Sequence, residues 1–387
     1  MLERIISMLL TLFVTLPAIS ANNRANSLEV EPVYLGTPLE SYYAGKSERT
    51  AWDLEIYDNK LFVSGGDYDK STGPVPIFYY DLKNNQWIDS GTVPDEQIER
   101  FYTFGDTLTA AGADPTGGWE LGNYYTFNGN TWDIHRVVPD AIHMHDMVEF
   151  DGKLFVGTGV PAGESPICVS EDGGITFTKV ALYRENQLLD TAVAPNEQGT
   201  IPPYQLRVYD FMVLEDNLYA LFYFYVNGRL ELSIYRYHDN AFHYYAPLPP
   251  NVVFAPISHE ALATKVTFQG RVFCSTGRLY GTEDMISYTK ITFSEDAKVT
   301  DLQVIDNVLY ASVYEMQADG TYRVSLWHNE TGKYGDFFED FYFTYPAPAQ
   351  CFTYCDGVFY FGMGEGILSD ANEANGSVLT VQAGTIS

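Results

Sequence analysis

The sequence predicts an all-β fold, a seven-bladed β-propeller of four-stranded antiparallel blades, and three observations predict it. The 387-residue chain is rich in Tyr (30), Phe (24) and Gly (32), a composition that favours strands and turns over helices. A tight turn ending on an apolar residue recurs seven times, at Asp58–Leu61, Gly105–Leu108, Asp151–Leu154, Glu215–Leu218, Gln269–Val272, Asp306–Leu309 and Asp356–Phe359. Each copy has an apolar strand on either side, and the spacing is mostly 37 to 54 residues, which suits one blade per repeat.

The N-terminus reads as a targeting segment. Arg4 precedes an apolar run, Ile5 to Leu16, and Ala18-Ile19-Ser20 fits a small-x-small cleavage site, so residues 1–20 are expected to be a signal peptide and the mature chain secreted, extracellular or periplasmic. No second run approaches the roughly 20 apolar residues of a spanning helix, so no membrane insertion is expected. Residues 21–50 form an N-terminal segment in which Val30 to Leu35 is expected to complete the last blade and close the ring; residues 51–387 are the propeller, expected to be monomeric.

A formal charge of -29 makes nucleic acid and anionic membranes poor partners. Cys351 and Cys355 lie on one predicted strand, about 13 Å apart at about 3.3 Å per residue, too far for a disulfide. With Cys168 and Cys274 in different repeats, all four read as small core residues.

Blade one runs from Ala51 through Ile77–Asp81 to Trp87, and blade two ends at Tyr124–Phe127 and Trp132. In blade three, Ser170, Asp172, Gly174, Thr176 and Phe177 stand where the Asp box of sialidase-type propellers has them, and the stretch resembles that motif. The resemblance implies a structural turn between third and fourth strands, away from any active site. Looser turns, Asp81–Trp87 and His238–Phe242, resemble kelch-type blades. No Phe-Arg-Ile-Pro motif of sialidases is present.

Function is expected on one face, where the long segments Gly65–Pro76, Gly112–Gly122, Gly157–Pro166, Leu182–Gln205 and Ala246–Ala261 should gather. Eight residues before the apolar turn position stand Asp53, Arg100, Asp146, Asp210, Thr264, Asp301 and Cys351. A recurring Asp reads first as scaffold that accepts backbone hydrogen bonds. Arg100, which replaces it, and Arg207 place two guanidinium groups near the channel, either paired with ring Asp residues or free for a carboxylate or sulfate.

Six residues after the apolar position stand Asp67, Asp114, Val160, Phe224, Arg278, Glu315 and Glu365. Their acids would form an arc facing Arg100, His143, His145 and Arg207, suited to general acid chemistry or Ca²⁺, or else a set of solvated loop acids. His143 and His145, two apart on one strand, point the same way. They are either packing residues, metal ligands with a third such as His259, or a general base with Tyr209 as acid and an Arg opposite a uronate, an arrangement resembling propeller-type polysaccharide lyases. Tyr68, Trp119 and Tyr280 offer flat surfaces to sugar rings.

These features point to a secreted propeller that recognises glycans through its long-loop face. The alternatives are a carbohydrate-active enzyme, sialidase-like hydrolase or polysaccharide lyase, and a protein-interaction scaffold.

Overall fold

The computed structural model describes residues 17–21, 23–24, 27–118, 120–160, 165–188, 206–226, 229–249, 252, 264–275, 277–366 and 372–385. These residues form strands, turns and a few short 3-10 turns. None of their helices is long and apolar enough to cross a membrane.

The strands run as antiparallel meanders in chain order, each beginning with the strand that precedes a repeated turn. The first comprises Leu54–Tyr57, Lys60–Val63, Val75–Asp81 and Gln86–Val93. The next begins at Asp95–Phe104 and ends at Trp132–Pro139. Those that follow begin at His143–Phe150, Leu206–Leu214, Thr264–Phe268, Lys298–Ile305 and Ala349–Cys355. The repeated turns hold their shape through left-handed residues, such as Asp58 (φ 46°) with Asn59 (φ 57°) and Asp306 (φ 49°) with Asn307 (φ 61°). That conformation matches strand twist in a two-residue hairpin, which is why Asp, Asn and Gly recur there.

The first strands stand against one another in chain order, and Ala349–Cys355 lies against Leu54–Tyr57. Each neighbouring pair of meanders shares a hydrophobic core. Phe62, Ile77 and Tyr79 pack on Phe101, Phe127 and Trp132 between the first two. Leu54, Leu61 and Val63 pack on Cys351, Tyr360 and Val378 where the last meets the first. Burying a large apolar side chain in such a seam contributes about 1.5–3 kcal/mol. Cys168, Cys274 and Cys351 are buried, Cys355 is partly buried, and all four are free thiols.

The N-terminal segment runs along outer edges. Val33–Gly36, within the Val30 to Leu35 segment, pairs antiparallel with Val378–Gln382. Two further pairings were not foreseen. Leu28–Glu29 adds a parallel strand beside Phe341 and Tyr342, and Ala18–Ser20, the residues at the expected cleavage site, add one beside Lys290–Thr292. Ala21 is fully buried behind it, its N–H on the Thr292 carbonyl.

The start of the Leu182–Gln205 insert also departs from expectation. Ala181–Arg184 does not join the long-loop face; it pairs parallel with Ala241–His243, covering another outer edge whose backbone groups need partners. Residues 189–205 and most of Ala246–Ala261 lie outside the described residues.

Candidate functional site

The first strands enclose a cavity of about 250 Å³ lined by residues of six meanders, including Asp53, Arg100, Asp146, Lys265, Asp301 and Cys351. The register along these strands slips by one residue at equivalent places: between Ile98 and Phe101, Met144 and Asp146, Val208 and Asp210, Val299 and Asp301, and Ala349 and Cys351. Each slip is a β-bulge, which re-aims a side chain. The residues left without a cross-strand partner are His145, Tyr209, Thr300 and Gln350, with Glu99 in the equivalent bulge.

At four of the aligned positions, Asp53, Asp146, Thr264 and Asp301, a side chain bridges the seam to the next first strand. Asp53 accepts the Phe101 N–H at 2.7 Å, Asp146 that of Phe211 at 2.6 Å, and Asp301 that of Phe352 at 3.0 Å. The Thr264 hydroxyl takes the same place, accepting the Leu302 N–H at 3.1 Å. These Asp residues therefore serve as scaffold.

Arg100 and Asp210 depart from the pattern. The Arg100 guanidinium lies 3.3 Å from Asp146 and 3.2 Å from Asp210, and Lys265 Nζ bonds to both carboxylates, 2.8 Å from Asp210. Asp210 is 1% exposed, and its second oxygen, Oδ2, has no hydrogen-bond partner. Arg100 is thus tied to ring acids.

Beside this network runs a ladder of rings. His143 and His145 stack with centroids 5.1 Å apart, Tyr68 meets His143 edge-on at 5.3 Å, and Tyr209 lies 4.3 Å from His145. The bulge before Asp146 brings His145 to Tyr209 of the next meander. Asp114 stands 3.3 Å from His143 Nε2, and an Arg207 guanidinium nitrogen 3.4 Å from the Tyr209 hydroxyl. Burial holds His145 neutral, well below its usual range, helped by His143, Arg207 and Arg100; its Nε2 makes no hydrogen bond. Burial also raises Asp114 to about 6, Glu99 to about 7, and the Tyr68 phenol above its ordinary value.

Seven residues singled out in the sequence thus fall into one region: Tyr68, Arg100, Asp114, His143, His145, Arg207 and Tyr209. The other acids do not join them in an arc. Asp67 is buried, accepting from Ser47 and capping the turn at Lys70. Glu315 pairs with Arg24, and Glu365 accepts from Tyr322. Asp114 sits beside His143 instead of across from it, because its strand hydrogen-bonds to the His143 strand. Arg278 is exposed next to Tyr280. Trp119 and His259 lie outside the described residues. Among the described residues, no group of three or more His, Cys, Asp or Glu is placed to hold a metal ion.

Glu99 and Lys265 were missed. Each adjoins an aligned ring position, Arg100 or Thr264, and that adjacency was the available signal.

No protein-family model matches the chain, and no curated protein matches it. Among solved structures, a chain of the mitotic checkpoint complex aligns with TM-score 0.51 at 8% identity, over 92% of this chain and 96% of that one. An α-L-arabinofuranosidase from Fusarium graminearum, in complex with an iminosugar inhibitor, gives 0.43 at 11% identity over 92% and 99%. Puromycin hydrolase gives 0.49 at 10% identity, over 95% of this chain and 56% of that one. These are propeller-type folds, and the first likeness, with the strand order above, shows that this chain has a propeller-type, nearly all-β fold.

Proposed function

We propose that the protein is a secreted seven-bladed propeller that binds glycan at the rim formed by Tyr68, His143, His145 and Tyr209. The meanders are its blades, and the contact of Ala349–Cys355 with Leu54–Tyr57 supports a closed ring. The observation that carries the binding reading is the unbroken ring ladder, with centroid spacings of 5.3, 5.1 and 4.3 Å, flanked by Asp114 and Arg207. The partly exposed rings at the ladder's two ends, Tyr68 and Tyr209, suit the apolar face of a sugar, the buried His143 and His145 hold them in place, and the flanking charged groups suit its hydroxyls and carboxylates. The Ile5–Leu16 run supports export.

One arrangement favours a second reading, a polysaccharide lyase. A neutral His145 can take a proton, the adjoining Tyr209 phenol can give one to a leaving oxygen, and Arg207 beside that phenol can neutralise a uronate carboxylate.

The test is a glycan array on the intact protein, followed by product analysis on uronate polysaccharides, with His145→Ala and Tyr209→Phe alongside. Binding lost in His145→Ala without product in the parent supports recognition alone. Unsaturated product lost in both variants supports the lyase. No glycan bound and no product formed overturns both.

A further inference from the structure

We propose that the central cavity is a binding site for a small organic molecule carrying a primary ammonium group, held between Asp53, Asp301 and the Thr300 hydroxyl. This site is separate from the ring ladder and goes beyond the glycan reading.

Four carboxylates line the cavity, Asp53, Glu99, Asp146 and Asp301, against two cations, Arg100 and Lys265. Both cations are already bonded to Asp146 and to Asp210. Asp53 and Asp301 make no ion pair among the described residues. Asp53 accepts the backbone N–H groups of Leu54 and Phe101; Asp301 accepts those of Leu302 and Phe352 and the Thr264 hydroxyl. Burial raises Asp53 to about 6 and Asp301 to about 7; the charge of Asp53 raises Asp301 as well, while that of Arg100 partly lowers Asp53. A buried carboxylate without a countercharge costs free energy that a bound cation relieves.

A second observation is independent of the acids. Thr300, the bulge residue before Asp301, lines the same cavity, is 3% exposed, and its Oγ1 has no hydrogen-bond partner. Buried hydroxyls are rarely left so, and an unsatisfied one on a cavity wall marks a place for a ligand atom.

The chemistry of the ligand follows from these acceptors. An ammonium has three donors, and the wall offers two carboxylates and a hydroxyl. The carboxylate oxygens each already take at least one N–H donor, which leaves directional lone pairs for further N–H groups; a hard metal ion needs a larger shell of oxygens than these provide. An anion meets the same acids with the wrong sign. Trp52 and Tyr102 also line the cavity, and aromatic neighbours favour a cation.

The experiment is calorimetric titration of the intact protein at pH 8 with putrescine, with Ca²⁺ and choline as comparisons. The expected result is one putrescine per chain, bound more tightly than either comparison. Thr300→Val keeps the side-chain shape and loses the hydroxyl; with its melting transition intact, it is expected to weaken binding about tenfold, the cost of one hydrogen bond to a charged group. Asp301→Asn is expected to weaken it further. No heat with putrescine, stronger binding of Ca²⁺ or choline, or an unchanged Kd in a folded Thr300→Val overturns the proposal.

Discussion

The Asp146 carboxylate accepts the backbone N–H of Phe211 at 2.6 Å, across the seam between consecutive first strands. It also takes the Tyr102 hydroxyl at 3.1 Å and the charges of Arg100 and Lys265. Asp146→Ala leaves those two cations with Asp210 as their common acid. The expected loss is about 3–5 kcal/mol, as for other half-broken buried ion pairs. A lower urea midpoint at unchanged slope measures it, and a loss under about 1 kcal/mol would contradict the bridging role.

Buried carboxyls set the pH dependence of stability. Burial, the first cause for each, raises Asp53 from 3.8 to about 6, Asp95 and Asp301 from 3.8 to about 7, and Glu55 and Glu99 from 4.5 to about 7. Each folded carboxyl therefore holds its proton more tightly than the unfolded one. Their contribution is complete below about pH 4 and is lost as pH rises through 6 and 7. His145, lowered by burial, acts oppositely: its contribution is present above its unfolded 6.5 and is lost on acidification. Asp114, raised to about 6, and His328, raised by Asp340, act with the five carboxyls, and His135 and His243, lowered by burial, act with His145. The raised groups outnumber the lowered ones and predict a higher Tm at pH 5 than at pH 8, with a smaller difference in Asp301→Asn. A Tm that climbs steadily from pH 5 to pH 8 would count against this set of shifts.

On the ladder, His145→Ala removes the ring between His143 and Tyr209. Glycan affinity is expected to fall about 10- to 100-fold, equivalent to about 1.4–2.8 kcal/mol. Tyr68→Ala, at the ladder's end, is expected to cost less. Equal affinity in parent and His145→Ala would place the glycan elsewhere.

The turn Ser170–Phe177 is held by its own side chains. Asp172 accepts from the Thr176 N–H at 2.9 Å, the Thr176 hydroxyl at 2.6 Å and the Ser170 hydroxyl at 2.7 Å, and these bonds, those from Thr176 foremost, hold the Asp172 carboxyl down at about 2. Asp172→Ala is expected to lower Tm while leaving ligand affinity unchanged, because the turn is local. The turn's contribution is present above pH 3.8 and is lost as pH falls toward 2.

Removing residues 1–29 strips the added strands from Tyr288–Thr292 and Phe338–Tyr345. Two edges with unpaired backbone groups are then exposed, and size-exclusion chromatography should show concentration-dependent association that the full chain lacks. A truncated chain eluting as the full chain does would show that these edges need no cover.

The repeated turns were legible because their left-handed residues restrict composition locally, as at Asp58 and Asn59. The Arg100 network was partly legible for a different reason. Asp146 and Asp210 occupy the aligned positions of the next two copies, so alignment alone put them on one circle. Lys265 was invisible there, one residue off the aligned position. The strands Leu28–Glu29 and Ala18–Ser20 carry too few residues for any periodicity to show, and their pairing is with sequence hundreds of residues away. The bulges escaped for a similar reason: alternation along one strand does not reveal that its neighbour skips a residue.

That skipped residue separates two tasks within one short strand. Asp146 and Asp301 tie neighbouring first strands together, whereas His145, Tyr209 and Thr300 stand in no cross-strand pair. Side chains at those three positions can be exchanged without altering the backbone ladder. The inner wall is therefore an interchangeable set of fittings on a fixed frame, so ligand preference can diverge, in nature or by design, while the architecture stays as it is.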